Sequence, residues 1–172
     1  NSDRLQQIIT NANNAEETVS IFEYDLLGNP ITYCGNTLVW EKCRQLKKFG
    51  NTEFEYNGKG QRVTKNDITY TYNSNGNLIK QSNGLEFYYD STGVFAFTYN
   101  GNKYYYRKNA QGDITHIINS DGNVIVEYNY NAWGEFTYQD ISGLNLATLN
   151  PFTYRGYYFD VETGLYYLQS RY

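Results

Sequence analysis

Any chemistry in this chain would have to start from one histidine and two cysteines. His116 is the only histidine among 172 residues, so a Ser–His–Asp or Cys–His nucleophile would require it. It lies in Ile114-Thr115-His116-Ile117-Ile118, an apolar strand pattern in which a lone histidine ordinarily packs or faces solvent. Cys34 and Cys43 are distant from it in sequence. Two thiols without companion histidines are not a metal site, and two cysteines do not make a disulfide framework. If residues 31 to 42 form a hairpin about Gly35-Asn36, Cys34 falls opposite Thr37 rather than Cys43. The 18 Asp and Glu supply carboxylate pairs by chance. Asp25, Asp90, Asp113, Asp121 and Asp160, however, sit at turn signatures that account for them structurally. The glycines follow hairpin strands and do not open a strand-to-helix turn, so no phosphate-cradling loop is present. The sequence carries no catalytic, cofactor-binding or metal-ligating set, and the chain is not expected to be an enzyme.

The elements that would hold these residues are strands. There are 20 Tyr, 9 Phe, 15 Gly and 2 Pro, and no Met. Tyrosine favours strands and packs its ring while keeping its hydroxyl hydrogen-bonded. The net charge is −4 and the longest basic run is Lys47-Lys48, which argues against a nucleic-acid partner. No apolar run approaches the roughly 18 residues of a membrane span. Without a start methionine or a signal-peptide pattern, the chain reads as a piece of a longer protein.

A turn signature Tyr-[Asp/Asn]-x-x-Gly recurs along the chain. It ends at Gly28, Gly60, Gly76, Gly93 and Gly134. Its tyrosines fall at 24, 56, 72, 89 and 130, and the degenerate copy Trp40-Glu41-Lys42-Cys43 fills the gap between the first two. With Tyr106 the register runs 24, 40, 56, 72, 89, 106, a period of 16 to 17. The Asp or Asn side chain can bind the N–H groups ahead of it, and glycine supplies the positive φ of the reversal. Cys43 should occupy a position equivalent to those glycines. The flanks alternate: Ile68, Tyr70 and Tyr72 against Thr69 and Thr71; Leu85, Phe87 and Tyr89 against Glu86 and Tyr88; Val124, Val126, Tyr128 and Tyr130 against Ile125, Glu127 and Asn129. This period of two places one row on a buried face. Each repeat is read as strand, turn, strand and then a looser connection.

Three stretches leave this register. Residues 1 to 17 fit either an amphipathic helix through Leu5, Ile8, Ile9 and Ala12 or, preferably, a strand to Thr10 whose partner starts at Thr18. Residues 107 to 134 place turns at Gly112, Gly122 and Gly134 at shorter spacing. Residues 139 to 150 lose the alternation and read as a linker with one helical turn after Ser142. The division is therefore 1–138 as a hairpin array, 139–150 as a linker and 151–172 as a C-terminal motif.

That motif runs Asn150-Pro151-Phe152-Thr153-Tyr154-Arg155-Gly156-Tyr157-Tyr158-Phe159-Asp160, then Val161-Glu162-Thr163-Gly164-Leu165-Tyr166-Tyr167-Leu168-Gln169-Ser170-Arg171-Tyr172. It resembles the signature of the RHS repeat-associated core domain, NPF-x-YRGYYYD-x-ETGLYYL-x-x-RYYDP-x-x-GRF. Pro151, Phe152, Tyr154, Arg155, Gly156, Tyr157, Tyr158, Leu165, Tyr166, Tyr167 and Arg171 match it, and Asp160 and Gly164 mark its turn. Residues 104 to 136 resemble the last hairpins of the same family, and the earlier turns are similar to its YD repeats. The resemblance implies an all-β fold of tandem antiparallel hairpins in a curved, spiralling sheet, an arc of a shell. It implies that the shell encloses and delivers a C-terminal toxin, and that the protein is bacterial and secreted or associated with the cell surface or wall. The partners it implies are the remaining RHS repeats and the toxin cargo. The acidic residues linked to self-cleavage in related toxins would lie beyond Tyr172, so none can be carried onto this chain. An alternative from the residues themselves is a carbohydrate- or surface-binding module, with Tyr104-Tyr105-Tyr106 or Tyr157-Tyr158-Phe159 as platforms. An arc also leaves open strand edges, which favours edge-to-edge self-association.

Overall fold

Alternating tyrosine-rich strands and glycine turns give a nearly all-β protein in the computed structural model, which describes residues 7–10 and 18–169. Strands β1 (Gln7–Thr10) and β2 (Thr18–Ile21) pair antiparallel, Gln7 opposite Ile21. The reversal expected over residues 11 to 17 lies outside the described residues. Thirteen further strands, five in the first unit described below and eight in the second, pair antiparallel in chain order. The chain divides into two compact units between Asn66 and Asp67.

The first unit carries β3 (Thr32–Tyr33), β4 (Asn36–Glu41), β5 (Gln45–Phe49), β6 (Thr52–Tyr56) and β7 (Arg62–Lys65). Phe22, Leu38, Leu46, Phe49 and Phe54 are buried there. The second carries β8 (Ile68–Tyr72), β9 (Leu78–Gln81), β10 (Glu86–Asp90), β11 (Gly93–Tyr99), β12 (Asn102–Lys108), β13 (Ile114–Ile118), β14 (Val124–Tyr130) and β15 (Phe136–Asp140). Tyr70, Phe87, Phe97, Ile114, Ile117, Val126 and Tyr128 fill its inner face, while Thr69, Thr71, Tyr88 and Asn129 are exposed. A single helical turn, α1 (Leu146–Leu149), and a last hairpin of β16 (Tyr158–Asp160) and β17 (Leu165–Tyr167) follow.

One turn design recurs six times. In Asp25-x-x-Gly28-Asn29 the Asp25 carboxylate accepts the N–H of Leu27 and of Asn29, the Gly28 N–H donates to the Asp25 carbonyl, and the Asp25 N–H donates to the Asn29 carbonyl. Asn57, Asn73, Asn109, Asn119 and Asn131 repeat this arrangement ahead of Gly60, Gly76, Gly112, Gly122 and Gly134. The six glycines lie at φ between 79° and 88°. The chain at Gly93 reverses differently: Asp90 pairs directly with Gly93, leaving Ser91 and Thr92 as a two-residue turn.

The tyrosine of the signature reaches backwards. Tyr130 Oη donates to the Ile114 carbonyl at 2.7 Å, Tyr89 Oη to Leu78 at 2.9 Å and Tyr56 Oη to Leu46 at 2.9 Å. In the degenerate repeat Trp40 Nε1 takes the same part, donating to the Pro30 carbonyl at 2.6 Å. Pro30, Leu78 and Ile114 each stand two residues after the glycine of an earlier wide turn, and Leu46 three after Cys43. The aromatic side chain thus fastens its turn to an earlier one, Tyr130 reaching past the Gly122 turn to the one at Gly112.

Two sequence expectations are corrected. The connections between repeats are not looser but tighter, being two-residue reversals at Cys34-Gly35, Gly50-Asn51 and Asn100-Gly101. Cys34, Gly50 and Asn100 adopt positive φ, which a short hairpin needs for its strands to keep their twist. Cys34 consequently lies in the turn itself, at φ 46°, and Thr32 stands opposite Thr37. Both cysteines are free and exposed.

Cys43 takes φ 75°, a region that costs a side chain about 1–2 kcal/mol. Because glycine also frees the unfolded chain, Cys43→Gly should stabilise the protein by a net of about 0.5–1 kcal/mol. Urea unfolding measures this, and a lower midpoint for the variant would contradict the turn assignment.

Candidate functional site

The inner face of β8 to β14 is apolar but studded with phenols, so whatever covers it must supply both packing and acceptors. Residues 140 to 167 do this within the second unit. Asp140 starts the cover. Its carboxylate accepts the N–H of Ser142 and of Ala147, holding the approach to α1. These hydrogen bonds outweigh partial desolvation and keep the carboxyl below its ordinary range. Leu146 and Ala147 are then buried, and the Ala147 carbonyl accepts Tyr128 Oη at 2.8 Å.

Asn150 is the hub. Its Nδ2 donates to the Phe152 carbonyl at 2.6 Å and to Tyr128 Oη at 3.3 Å. Its Oδ1 accepts Tyr106 Oη at 2.6 Å and the Phe152 N–H at 3.2 Å. Asn150 adopts an extended backbone, φ −70° and ψ 119°, the region favoured ahead of the following proline, Pro151. Pro151 is buried, and its carbonyl accepts the Phe159 N–H. Phe152 lies edge-on to Phe87 at 4.9 Å and to Tyr158 at 5.9 Å, geometries favoured by the ring quadrupoles. Tyr158 Oη meets Tyr70 Oη at 3.1 Å and accepts Gln81 Nε2 at 2.8 Å.

The next residues clamp onto the wide turns. The Ile114 N–H donates to the Thr153 carbonyl, and the Arg155 N–H donates to the Asp113 carboxylate at 2.9 Å. The other oxygen of Asp113 accepts Asn109 Nδ2 at 2.6 Å. This grip requires a sharp bend: Arg155 and Gly156 both take positive φ, 52° and 67°. Tyr154 packs so closely on Gly134 that a Cβ there would lie 2.8 Å from its ring. Tyr166 Oη donates to the Gly134 carbonyl at 2.8 Å. Arg155 and Tyr157 present their side chains to solvent. Asp160 is fully buried at the end of β16, and its carbonyl accepts the N–H of Gly164. Leu165 is half-buried and Tyr167 buried in β17. Arg171 lies outside the described residues.

The arrangement is that of a fastening. His116 is half-buried in β13, opposite Arg107 and Glu127, and its Nδ1 lies 2.9 Å from Thr115 Oγ1. Among the described residues no three His, Cys, Asp or Glu side chains gather as metal ligands. Sequence reasoning missed the partners on the sheet: Tyr70, Gln81, Tyr106, Asp113 and Tyr128. An asparagine before a buried Pro-Phe pair was the available signal for the hub.

The family described as Teneurin YD-shell matches residues 1–93. The tRNA3(Ser)-specific nuclease WapA of Bacillus spizizenii is 32% identical over 175 aligned residues, covering 91% of this chain and 7% of the relative. The tRNA nuclease WapA of Bacillus subtilis is 31% identical with the same coverage. The chain therefore spans about 7% of the length of these curated relatives. Among solved structures, the TcdB2-TccC3 crystal structure superposes with TM-score 0.64 at 21% identity, covering 87% of this chain and 9% of that one. The Photorhabdus luminescens Tc holotoxin pore gives TM-score 0.61 at 20% identity, covering 86% and 9%. At these identities the structures show the fold.

Burial holds the hydroxyls of Tyr89, Tyr106, Tyr128 and Tyr130 well above the usual tyrosine range. Unfolded, these groups ionise near pH 10. Their contribution is thus fully present below about pH 10 and is lost as pH rises towards the folded values, at up to about 1.4 kcal/mol per pH unit for each tyrosine. The urea midpoint should fall steeply between about pH 10 and 12, and less steeply in the Tyr106→Phe/Tyr128→Phe variant. A flat profile would show that the phenols are not buried as described.

Proposed function

Because the chain belongs to the YD-shell family of RHS-type repeat proteins, we propose that it is a length of shell wall, with its closing segment, in a protein that encloses and delivers a toxic polypeptide. Its role is structural: a segment of an RHS shell. The observation that carries the reading is the backward fastening of turns by Trp40, Tyr56, Tyr89 and Tyr130. Each of these brings an aromatic donor to a carbonyl beside an earlier turn, so a wall can grow through contacts between neighbouring repeats.

In this reading residues 1–138 are wall, 139–150 lead off the sheet, and 151–172 close over its inner face. Gly28, Gly60, Gly76, Gly93, Gly112, Gly122 and Gly134 serve as reversal points. Asp160 and Gly164 turn the last hairpin. Pro151, Phe152, Tyr154, Arg155, Gly156, Tyr157, Tyr158, Leu165, Tyr166 and Tyr167 make the closure. The nuclease activity in the relatives' names belongs to a region outside this segment, and the segment itself is not catalytic. Its partners are the other repeats and the cargo, and its setting is extracellular, at or beyond a bacterial surface. No helix among the described residues is long and apolar enough to cross a membrane.

The test uses the native gene product that contains this segment. Limited proteolysis should leave the enclosed polypeptide intact, whereas Phe152→Asp should expose it, with protection falling at least tenfold. Equal digestion of the cargo in the native protein and in the isolated cargo would overturn the reading.

A further inference from the structure

In the second unit, strand β15 has one strand partner among the described residues, β14, and its other side is unpaired. The register with β14, from Tyr130 opposite Phe136 to Val126 opposite Asp140, has no shift. The Ile141 N–H donates to the Ile125 carbonyl. By the alternation of an antiparallel ladder, Thr137 and Gln139 also turn their backbone groups towards β14, while Phe136, Tyr138 and Asp140 turn theirs outwards. The carbonyl just ahead in that outward series, that of Gly134, is taken by Tyr166 Oη. Beyond it the closing segment forms no strand pairing with β15.

Edge strands are ordinarily blunted by a lysine, a proline, a bulge or a covering element. Phe136-Thr137-Tyr138-Gln139-Asp140 has neither lysine nor proline, and no bulge. The cover also stops short of it: Tyr138 is 47% exposed, although its cross-strand partner Tyr128 is buried. Trp133, Ile141 and Leu144, on either flank of the strand, are exposed as well. The charge around this edge has one sign. From Lys108 to Arg155 no lysine or arginine intervenes, while Asp113, Asp121, Glu127, Glu135 and Asp140 do. Glu127 stands opposite Gln139, and Glu135 directly precedes Phe136, so both lie on the face opposite to Tyr128 and Tyr138. A second copy brought edge to edge would set these carboxylates against one another, whereas basic side chains would pair with them.

We propose that the free edge of β15 takes a strand from the enclosed polypeptide, an extended segment in which lysine or arginine alternates with apolar residues. Its backbone completes the ladder at Phe136, Tyr138 and Asp140, as in other cases of strand addition. Its apolar side chains lie against the exposed part of the Tyr138 ring. Its basic side chains fall on the opposite face, towards Glu127 and Glu135. The ladder supplies affinity for any extended chain, and the carboxylates select a basic one. The identity of the occupant rests on the shell reading; the open acidic edge does not.

The probe is a short peptide alternating lysine with valine, titrated into the 172-residue chain by calorimetry beside its counterpart alternating glutamate with valine. The lysine peptide should bind with submillimolar affinity and the glutamate peptide about tenfold or more weakly. Tyr138→Pro removes an outward N–H and leaves the ladder with β14 intact. Tyr138→Lys places a repelling charge on the edge. Each should weaken the lysine peptide about tenfold, and Tyr138→Lys carries the test if urea unfolding shows that the proline variant does not fold. Tyr88→Ala, five strands away on β10, should change nothing. In the native gene product, a benzophenone side chain placed at residue 138 should crosslink to a lysine- or arginine-bearing stretch of the enclosed polypeptide. Equal binding of the two peptides, unchanged binding by Tyr138→Lys, or a crosslink to a second copy would each overturn the proposal. Cargo that resists protease while the edge binds no basic peptide would overturn this inference alone. Cargo digested freely would overturn the shell reading and the occupant assigned from it, and the titration would still report on the edge.

Discussion

A tyrosine can be buried only if its hydroxyl finds a partner, and this constraint organises the protein. An unpaired hydroxyl in an apolar interior costs about 1–3 kcal/mol. The chain meets the requirement with backbone carbonyls. Tyr56, Tyr89 and Tyr130 each spend the hydroxyl on a carbonyl beside an earlier turn. Trp40 does so with its indole N–H, so the repeat requires a ring with a donor at its far edge rather than tyrosine as such. The polar tip becomes a tie between repeats, and the ring becomes core.

The same constraint explains the C-terminal segment. Tyr106 and Tyr128 do not find their acceptors on a neighbouring strand. They find them on Asn150 and on the Ala147 carbonyl. The segment therefore does more than cover apolar surface, because it completes hydrogen bonds that the sheet leaves open. Its attachment is bidirectional: Asp113 and the Gly134 carbonyl, both belonging to wide turns, accept from Arg155 and Tyr166 in return. A cover fixed in this way has defined position as well as affinity.

Much of this was legible in the sequence. The Asp or Asn three residues before a glycine announced its turn because both interactions are local. The alternation of Val126 and Tyr128 with Ile125 and Glu127 showed that rows would separate, though not which row would be inside. Asn109 and Asn119 were less visible as turn holders because Lys108 and Ile118, not tyrosine, precede them. The tight reversals were harder still: Cys34 at φ 46° has none of the usual marks of a left-handed residue. The tyrosine ties left no trace at all, since a backbone carbonyl is offered by every residue type and only the fold selects Ile114 or Leu78. Asn150 looked like the first letter of a motif. Its role depends on Tyr106 and Tyr128, which lie 44 and 22 residues away in sequence.

The repeat architecture stands most directly on the tyrosine ties, and removing one hydroxyl at a time tests them. Tyr130→Phe and Tyr89→Phe keep the rings and delete only the bonds to Ile114 and Leu78. In urea unfolding at neutral pH each should lower stability by about 1–2 kcal/mol. Their effects should add in the double variant, because the two ties share no partner. Stability unchanged in both single variants would mean that the phenols carry packing alone and that the repeats are held together by something else.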